Sequence, residues 1–288
     1  MIALSNRQKG TLCIILSAFC FAWMNAFVRL AGDLPFIQKS FFRNLVALTF
    51  ALVMLLRQKG KFLPRKGALP YLLIRAAAGT TGILCNFYAI DHLALSDASI
   101  LNKMSPFFVI LCSWLILKEK MIVLGAFVGS LFVIKPSFSN AALFPSLIGL
   151  LGGLGAGVAY AMVRKLGQIG ENKTYIVFFF SAFSCVVTLP YLLLAYEPMT
   201  WKQLLILVMA GLSAAGGQFG ITSAYCYAPA KDISVYDYTQ ILFAAGLGFL
   251  LFAQIPDWMS LAGYLIIITM GVLMFLYQRR DGEKEKSA

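Results

Sequence analysis

Long apolar runs recur along the whole chain, each about the 20 residues that an α-helix needs to cross roughly 30 Å of hydrocarbon. The 288-residue chain is 60% apolar and only 12% charged, whereas soluble domains have about 25% charged residues. The runs are too long and too uniformly apolar for the alternating strands of a membrane barrel. The sequence therefore predicts an all-α membrane protein with many spans.

Turn residues and basic clusters between the runs delimit the predicted transmembrane helices. Ten helices are predicted, at 11–31, 36–56, 69–90, 94–117, 121–136, 144–166, 173–196, 204–227, 232–254 and 260–278. The first run is interpreted as a membrane span, because it is longer than the apolar region of a signal peptide and has no clear cleavage site.

Basic residues give the chain a net charge of +12, and most of them lie between the apolar runs. This placement sets membrane topology and does not form the separate basic domain expected for nucleic-acid binding. With the N-terminus in the cytoplasm, most of the 24 lysines and arginines fall in cytoplasmic segments. The outer segments and their helix ends would hold Arg29, Lys39, Arg43, Lys135 and Lys202. We therefore expect a plasma (inner) membrane protein with both termini in the cytoplasm.

The two halves of the chain align without a gap at a shift of 135 residues. At this shift FVR (27–29) falls on MVR (162–164), and DAS (97–99) falls on DIS (232–234). Several such matches at one shift, in corresponding helices, indicate an internal repeat.

The repeat predicts two structural units, 1–140 and 141–280, followed by a cytoplasmic tail at 281–288. Each unit has five helices, and an odd number makes the second unit enter the membrane from the opposite side. Such inverted repeats are typical of secondary transporters, which hold the substrate near the bilayer midplane where the repeats meet.

Four stretches of the chain resemble the drug/metabolite transporter superfamily, specifically its EamA-type members: LSAFCFAWMNAFVR (16–29), FFRNLVAL (41–48), ALSDASILNKMSPFFVILCSWLILKEK (94–120) and SAYCYAPAKDIS (223–234). The family pattern of a helix-4 proline, an apolar run and a glutamate is matched by Pro106 and Glu119. The resemblance covers nearly the whole chain. It implies ten helices and transport without nucleotide hydrolysis, mostly export of amino acids, related metabolites or drugs. The repeat position of Glu119 is Gln254, so a paired acidic role is absent from the second half.

Lys103 lies inside the apolar stretch SILNKMSPFFVIL (99–111). If helix 4 begins near residue 94, Lys103 lies roughly 14 Å along it, close to the midplane. A lysine exposed to lipid there costs about 2.5–3.5 kcal/mol. We therefore expect Lys103 to face a wet cavity together with Ser99 and Asn102, or else to pair with a partner within the helix bundle.

Asp237, in SVYDYTQ (234–240), is the main acidic candidate, and the repeat shift places it on Asn102. The nearby polar and aromatic candidates are Tyr236, Tyr238 and Gln240. Arg75 would either pair with Asp237 or face the cytoplasmic vestibule, and an interfacial anchor is its alternative role. Further polar candidates, each with an interhelix hydrogen bond as the alternative, are Asn25, Asn86, Tyr88 and Gln218.

These groups predict a cavity with a cation at Lys103, an anion at Asp237 and aromatic walls. Such a cavity would suit an amino acid or a related zwitterion, with export favoured and alternating access as the mechanism. An organic anion would need only Lys103 and Arg75, and drug transport or metabolite import are further alternatives. Asp237 is also the candidate proton carrier, and facilitated exchange without protons is the alternative.

Small residues recur in 76–82 and 211–217 and at every fourth position from Gly149 to Gly157. They predict close helix packing, and the first two stretches could alternatively leave room for a ligand. GLLGGLGAG (149–157) is not a dinucleotide loop, because it lies within an apolar helix with no preceding strand.

A polytopic membrane enzyme is the main alternative of a different class. It would need clustered His, Asp or Glu, or a Ser or Cys nucleophile with a base. The chain has one histidine, His92, and its six cysteines lie in apolar runs without a Cys-x-x-Cys pair. We therefore predict no enzymatic activity, no metal and no cofactor. The expected partners are a small-molecule substrate, the lipid bilayer and, if transport is coupled, protons.

Overall fold

The computed structural model describes residues 5–58, 63–105, 108, 143–228 and 233–254, with isolated positions 258, 261, 262, 265, 269 and 272. The helix predicted at 121–136 lies outside these residues. Most of the predicted 94–117 helix after residue 105 also lies outside them, and the helix predicted at 260–278 is described only at isolated positions.

Helices account for every long element of the described chain. In chain order they are α1 (Asn6–Leu30), α2 (Phe36–Arg57), α3 (Leu69–His92), α4 (Leu95–Asn102), α5 (Leu143–Ile169), α6 (Lys173–Leu194), α7 (Trp201–Tyr227), a 3₁₀ helix (Ser234–Tyr238) and α8 (Thr239–Phe252). Six of them (α1, α2, α3, α5, α6 and α7) are long and apolar enough to cross a membrane. The described residues contain no strand. The predicted all-α, multi-pass membrane protein is confirmed at this level.

Two helices begin earlier than predicted because polar residues cap their first turns. At the start of α1, the Ser5 hydroxyl accepts from the Gln8 backbone amide, and the Gln8 side chain accepts from the Ser5 amide. Thr200 and Gln203 form the same capping box at the start of α7. Each box satisfies two backbone N–H groups that a helix start would otherwise leave unpaired.

The prediction of one continuous α-helix over 94–117 is wrong within the described part. α4 ends at Asn102, and the Met104 amide turns back to the Leu101 carbonyl. The sequence offers a reason for this end, because it has a proline at position 106, and a proline cannot donate the backbone hydrogen bond that a continuous helix would need there.

The prediction of a uniform α-helix over 232–254 is also wrong at its start. Residues Ser234–Tyr238 form a 3₁₀ helix, and α8 begins only at Thr239. The Thr239 hydroxyl donates to the Tyr236 carbonyl at 2.7 Å, which holds the junction between the two helices. Both breaks lie at repeat-related positions, since the 135-residue shift places Asn102 on Asp237.

The helices of the two halves pack reciprocally. The two most extensive helix contacts are α1 against α7 and α3 against α5, and α2 packs against α6. The first long helix of each half therefore lies against the third long helix of the other half. Glycines permit the approach of α3 to α5: a Cβ built on Gly155 would lie 2.7 Å from the Ala78 carbonyl oxygen and 3.0 Å from the Gly82 Cα.

Candidate functional site

A central cavity opens where all eight α-helices of the described chain meet. Its polar lining residues are Asn25 (α1), Arg43 (α2), Arg75 and Asn86 (α3), Asn102 (α4), Tyr160 (α5), Gln218 (α7) and Gln240 (α8). Its largest apolar side chains are Phe21, Met24, Ile83 and Phe180. The space within it, including the part that opens to solvent, is about 500 Å³.

Several lining positions are related by the same 135-residue shift that aligns the two halves. The pairs are Phe21 with Ala156, Met24 with Ala159, Asn25 with Tyr160, and Ile83 with Gln218. Equivalent positions of α1 and α5, and of α3 and α7, therefore face the same space. The cavity therefore lies where α1, α3, α5 and α7 converge.

Arg43 is fully buried in the interior of α2. Its Nη1 donates to the Asn44 Oδ1 at 2.5 Å, and its Nε lies 3.4 Å from the Met24 sulfur. Its Nη2 is buried without a hydrogen-bond partner among the described residues. The Arg43 guanidinium is thus held on one side, and one of its nitrogens makes no hydrogen bond within the described chain.

Arg75 is buried in α3 and does not make the predicted pair with Asp237. Its Nη2 donates to the Gln218 Oε1 at 2.8 Å, and its guanidinium carbon lies 3.9 Å from the centroid of the Phe180 ring. Its Nε has no hydrogen-bond partner among the described residues. The planar guanidinium stacks on the aromatic face and is oriented by the amide, so it is fixed at the cavity wall.

Lys103 and Asp237, predicted to supply the cavity with a cation and an anion, instead meet each other. The Lys103 Nζ lies 2.7 Å from the Asp237 Oδ2, and both side chains are buried. Neither is among the residues that line the cavity, although their neighbours Asn102 and Gln240 are. Lys103 thus has the alternative geometry considered from its sequence, that of a lysine paired within the bundle.

The remaining predicted residues divide between the cavity wall and the surrounding bundle. Asn86 donates to Asn25 at 3.3 Å, and both line the cavity. Tyr88 lies apart from the lining residues and packs among Phe36, His92 and Phe144. The other members of the predicted set are close in sequence to Lys103 or Asp237: Ser99 and Tyr238 are buried, and Tyr236 is partly buried.

The lysines and arginines of the buried interior differ in how they are neutralised. Lys39 pairs with Asp91 at 2.6 Å, and Lys103 pairs with Asp237. Among the described residues, neither Arg43 nor Arg75 has a carboxylate within ion-pair distance. The described lining contains no aspartate or glutamate. The cavity wall therefore carries two uncompensated cations.

Sequence reasoning missed Arg43 and Tyr160 as lining residues. Arg43 was placed with the outer helix ends, yet it lies eight residues into α2, or roughly 10 Å along the helix axis. The depth argument applied to Lys103 would have found it. Tyr160 could have been found through the repeat, because it occupies the position of Asn25.

These features are those of a multi-pass membrane carrier with a polar internal site, and comparison with known proteins identifies its family. A model of the EamA-like transporter family matches residues 8–134. The pseudopaline exporter CntI of Pseudomonas aeruginosa is 36% identical over 277 residues, which cover 93% of this chain and 96% of that protein. The chain therefore belongs to the EamA-like transporter family, within the drug/metabolite transporter superfamily, and is a membrane transporter.

More distant relatives extend the same similarity. Solute carrier family 35 member G1 of Homo sapiens is 24% identical and covers 91% of this chain, with 78% of that protein covered. A riboflavin transporter of Brucella anthropi is 25% identical, with 93% of this chain and 98% of that protein covered. A protein chain of known crystal structure shares the fold, with a TM-score of 0.69 at 14% identity over 94% of this chain and 98% of that chain. The relatives named here as exporter, solute carrier or transporter support the prediction that the chain is not an enzyme.

Proposed function

We propose that this protein is a secondary transporter that exports a small metabolite bearing a carboxylate, an amino acid or a related zwitterion among them. The observation that carries the proposal is the central cavity, whose described lining holds two buried guanidiniums and no carboxylate. An unpaired buried cation is costly, and a carboxylate is the natural partner of a guanidinium. A carboxylate-bearing substrate entering the cavity would supply that partner.

The zwitterion hypothesis needs one change. It assigned the ammonium group of the substrate to Asp237, but that carboxylate pairs with Lys103. An ammonium group in the cavity would instead meet the side-chain oxygens of Asn86 and Gln240, which lack hydrogen-bond partners among the described residues. The carboxylate of the substrate would bind Arg43 or Arg75.

Alternating access is proposed to use two inverted repeats of five helices each, residues 1–140 and 141–280. The reciprocal packing of α1 on α7 and of α3 on α5 supports this arrangement. So do the helix breaks at Asn102 and at Ser234–Tyr238, because transporters commonly build midplane sites from discontinuous helices. Rocking of one repeat against the other would open the cavity to each side of the membrane in turn.

Export across the inner membrane is the favoured direction, with both termini and the 281–288 tail in the cytoplasm. The exporter name of the Pseudomonas relative supports this direction, and the distribution of lysines and arginines supports the orientation. Coupling to protons is proposed through Asp237, a buried carboxylate three residues before the lining residue Gln240, and facilitated exchange is the alternative.

Counterflow in proteoliposomes tests the proposed function. Vesicles containing the purified protein would be preloaded with unlabelled solute, and uptake of the same labelled solute would be followed for aspartate, glutamate, leucine, lysine, succinate and riboflavin. Transient, saturable accumulation of at least one carboxylate-bearing solute is expected. Accumulation that is linear in concentration for every solute, equal to that of empty vesicles, would contradict a carrier. An imposed pH gradient that changes the rate would support proton coupling.

A further inference from the structure

We propose that the substrate carries two carboxylates, one held by Arg43 and the other by Arg75. This inference rests on the proposed transport function and specifies its substrate class. It follows from the number of uncompensated charges at the cavity wall, from the hydrogen-bonding capacity that each arginine retains, and from the character of the other lining residues.

The charge balance calls for two anionic groups. Arginine stays protonated even when buried, so each guanidinium contributes a full positive charge. Arg43 and Arg75 lie within electrostatic reach of each other and of Tyr160, which is also within reach of Asp237. A monocarboxylate would neutralise only one of the two cations. A dicarboxylate neutralises both, and it also removes their mutual repulsion.

Each arginine is anchored on one side and retains an uncommitted nitrogen. Arg43 is held by Asn44 and Met24, which leaves Nη2, and Arg75 is held by Gln218 and Phe180, which leaves Nε. These contacts fix each guanidinium before the ligand binds, so little side-chain entropy is lost on binding. The retained nitrogens can donate charge-assisted hydrogen bonds to carboxylate oxygens.

The rest of the lining suits the body of such a ligand. The carbon skeleton would lie against Phe21, Ile83 and Phe180, while side-chain amides on five helices offer donors and acceptors for internal hydroxyl, amino or carbonyl groups. A neutral or cationic solute would leave both guanidiniums unpaired in a poorly solvated site. The cavity therefore discriminates by charge first and by the polar groups between the carboxylates second.

An isosteric ligand series tests the number of carboxylates directly. Succinate, succinamate and succinamide have nearly the same shape but carry two, one and no negative charges. Thermal unfolding of the purified wild-type protein in detergent, titrated with each compound, gives their relative affinities. We expect succinate to bind at least tenfold more tightly than succinamate, with no stabilisation by succinamide. Equal stabilisation by all three, or by none while leucine or lysine stabilises, would overturn the inference.

Arginine variants test whether Arg43 and Arg75 are the residues that bind the two carboxylates. Arg43→Gln and Arg75→Gln should each weaken succinate binding at least tenfold and reduce the preference for succinate over succinamate. Arg29→Gln is the matched control, because Arg29 lies on α1 but bonds to the Ile90 and Leu93 carbonyls and does not line the cavity. If a glutamine variant does not fold, the Arg→Lys variant retains the charge and should retain the preference for the dianion. Unchanged succinate binding in both glutamine variants would overturn the assignment.

Transport separates this inference from the function on which it rests. One outcome is saturable counterflow of leucine or riboflavin that Arg43→Gln and Arg75→Gln do not affect, with no transport of succinate. This outcome would support a carrier and contradict the dicarboxylate site. Another outcome is that succinate stabilises the wild-type protein but not the arginine variants, while no solute shows counterflow. This outcome would support the dicarboxylate site and contradict the carrier function.

Discussion

Lys103 Nζ lies 2.7 Å from Asp237 Oδ2, and this buried ion pair joins segments 134 residues apart in the chain. Lys103 directly follows the end of α4, and Asp237 lies in the 3₁₀ helix before α8. The pair therefore links the helix breaks of the two halves. Asn102 and Gln240, close to the pair in sequence, line the cavity, so movement at the breaks would alter the cavity wall.

Breaking this pair should destabilise the protein strongly. Lys103→Gln and Asp237→Asn each leave a buried charge without its partner, which costs about 3–5 kcal/mol in buried ion pairs. Thermal unfolding in detergent should therefore show a large fall in Tm for each single variant.

The double variant Lys103→Gln/Asp237→Asn separates an ion pair from two independent effects. Because both charges of the pair are then removed, neither is left without its partner, and the double variant should lose clearly less stability than the sum of the single variants. Additive losses would contradict a direct interaction. A Lys103→Gln variant with wild-type stability but no ligand binding would instead restore the hypothesis that Lys103 contacts the substrate.

Gln218→Glu should weaken succinate binding without lowering the stability of the unliganded protein. The new carboxylate would stand where the Gln218 amide oxygen now lies, 2.8 Å from the Arg75 Nη2. It would neutralise that guanidinium internally and compete with any ligand carboxylate. Succinate affinity should fall at least tenfold, while the Tm of the unliganded protein stays equal to wild type or rises.

Gln218→Met is the companion variant, because it removes the hydrogen bond and leaves Arg75 charged. Loss of a hydrogen bond to a charged group costs about 1.5–3 kcal/mol, so its Tm should fall. Its cavity still needs an anion, so the preference for succinate over succinamide should persist.

Wild-type succinate affinity in Gln218→Glu would show that Arg75 does not bind the ligand.

Much of the fold could be predicted from the sequence because the signals are periodic or local. Apolar length predicted α2, α3, α5 and α6 to within a few residues at each end. The capping boxes at Ser5 and Thr200 were equally local and could have given the true helix starts. The break after Asn102 could also have been predicted from Pro106, since a proline interrupts the bonding of the preceding turn.

The site was harder to predict because it depends on which buried groups find partners. The depth of Lys103 indicated that it must avoid lipid, but depth does not distinguish a cavity from an ion pair. Tertiary packing brings Lys103 to Asp237, and among the described residues it leaves Arg43 and Arg75 without carboxylate partners. The 135-residue shift aligns several lining positions with one another, but it aligns Arg43 with Phe178 and Arg75 with Ala210. Neither arginine aligns with a charged residue, so the shift could not have indicated the two cations of the cavity wall.

The proposed orientation predicts which loops face each side of the membrane. Asp33 lies in the exposed turn between α1 and α2, and Lys66 lies in the exposed segment before α3. In a background with the six native cysteines replaced by serine, Asp33→Cys should react with a membrane-impermeant maleimide in intact cells. Lys66→Cys should react only after the cells are permeabilised. The opposite pattern would place the N-terminus outside and contradict the charge-based orientation.

Close packing of α3 on α5 predicts a sharp difference between two glycine-to-alanine substitutions. At Gly155 the added methyl would meet backbone atoms of α3, which cannot move aside as a side chain can. Separating the helices should cost about 1–3 kcal/mol and lower the Tm. Gly246→Ala in α8 is the control, because a Cβ there meets no atom within 4 Å. Alanine also forms helices more readily than glycine, so Gly246→Ala should unfold at or slightly above the wild-type temperature. Equal Tm values for the two variants would contradict the close approach of α3 and α5 through their glycines.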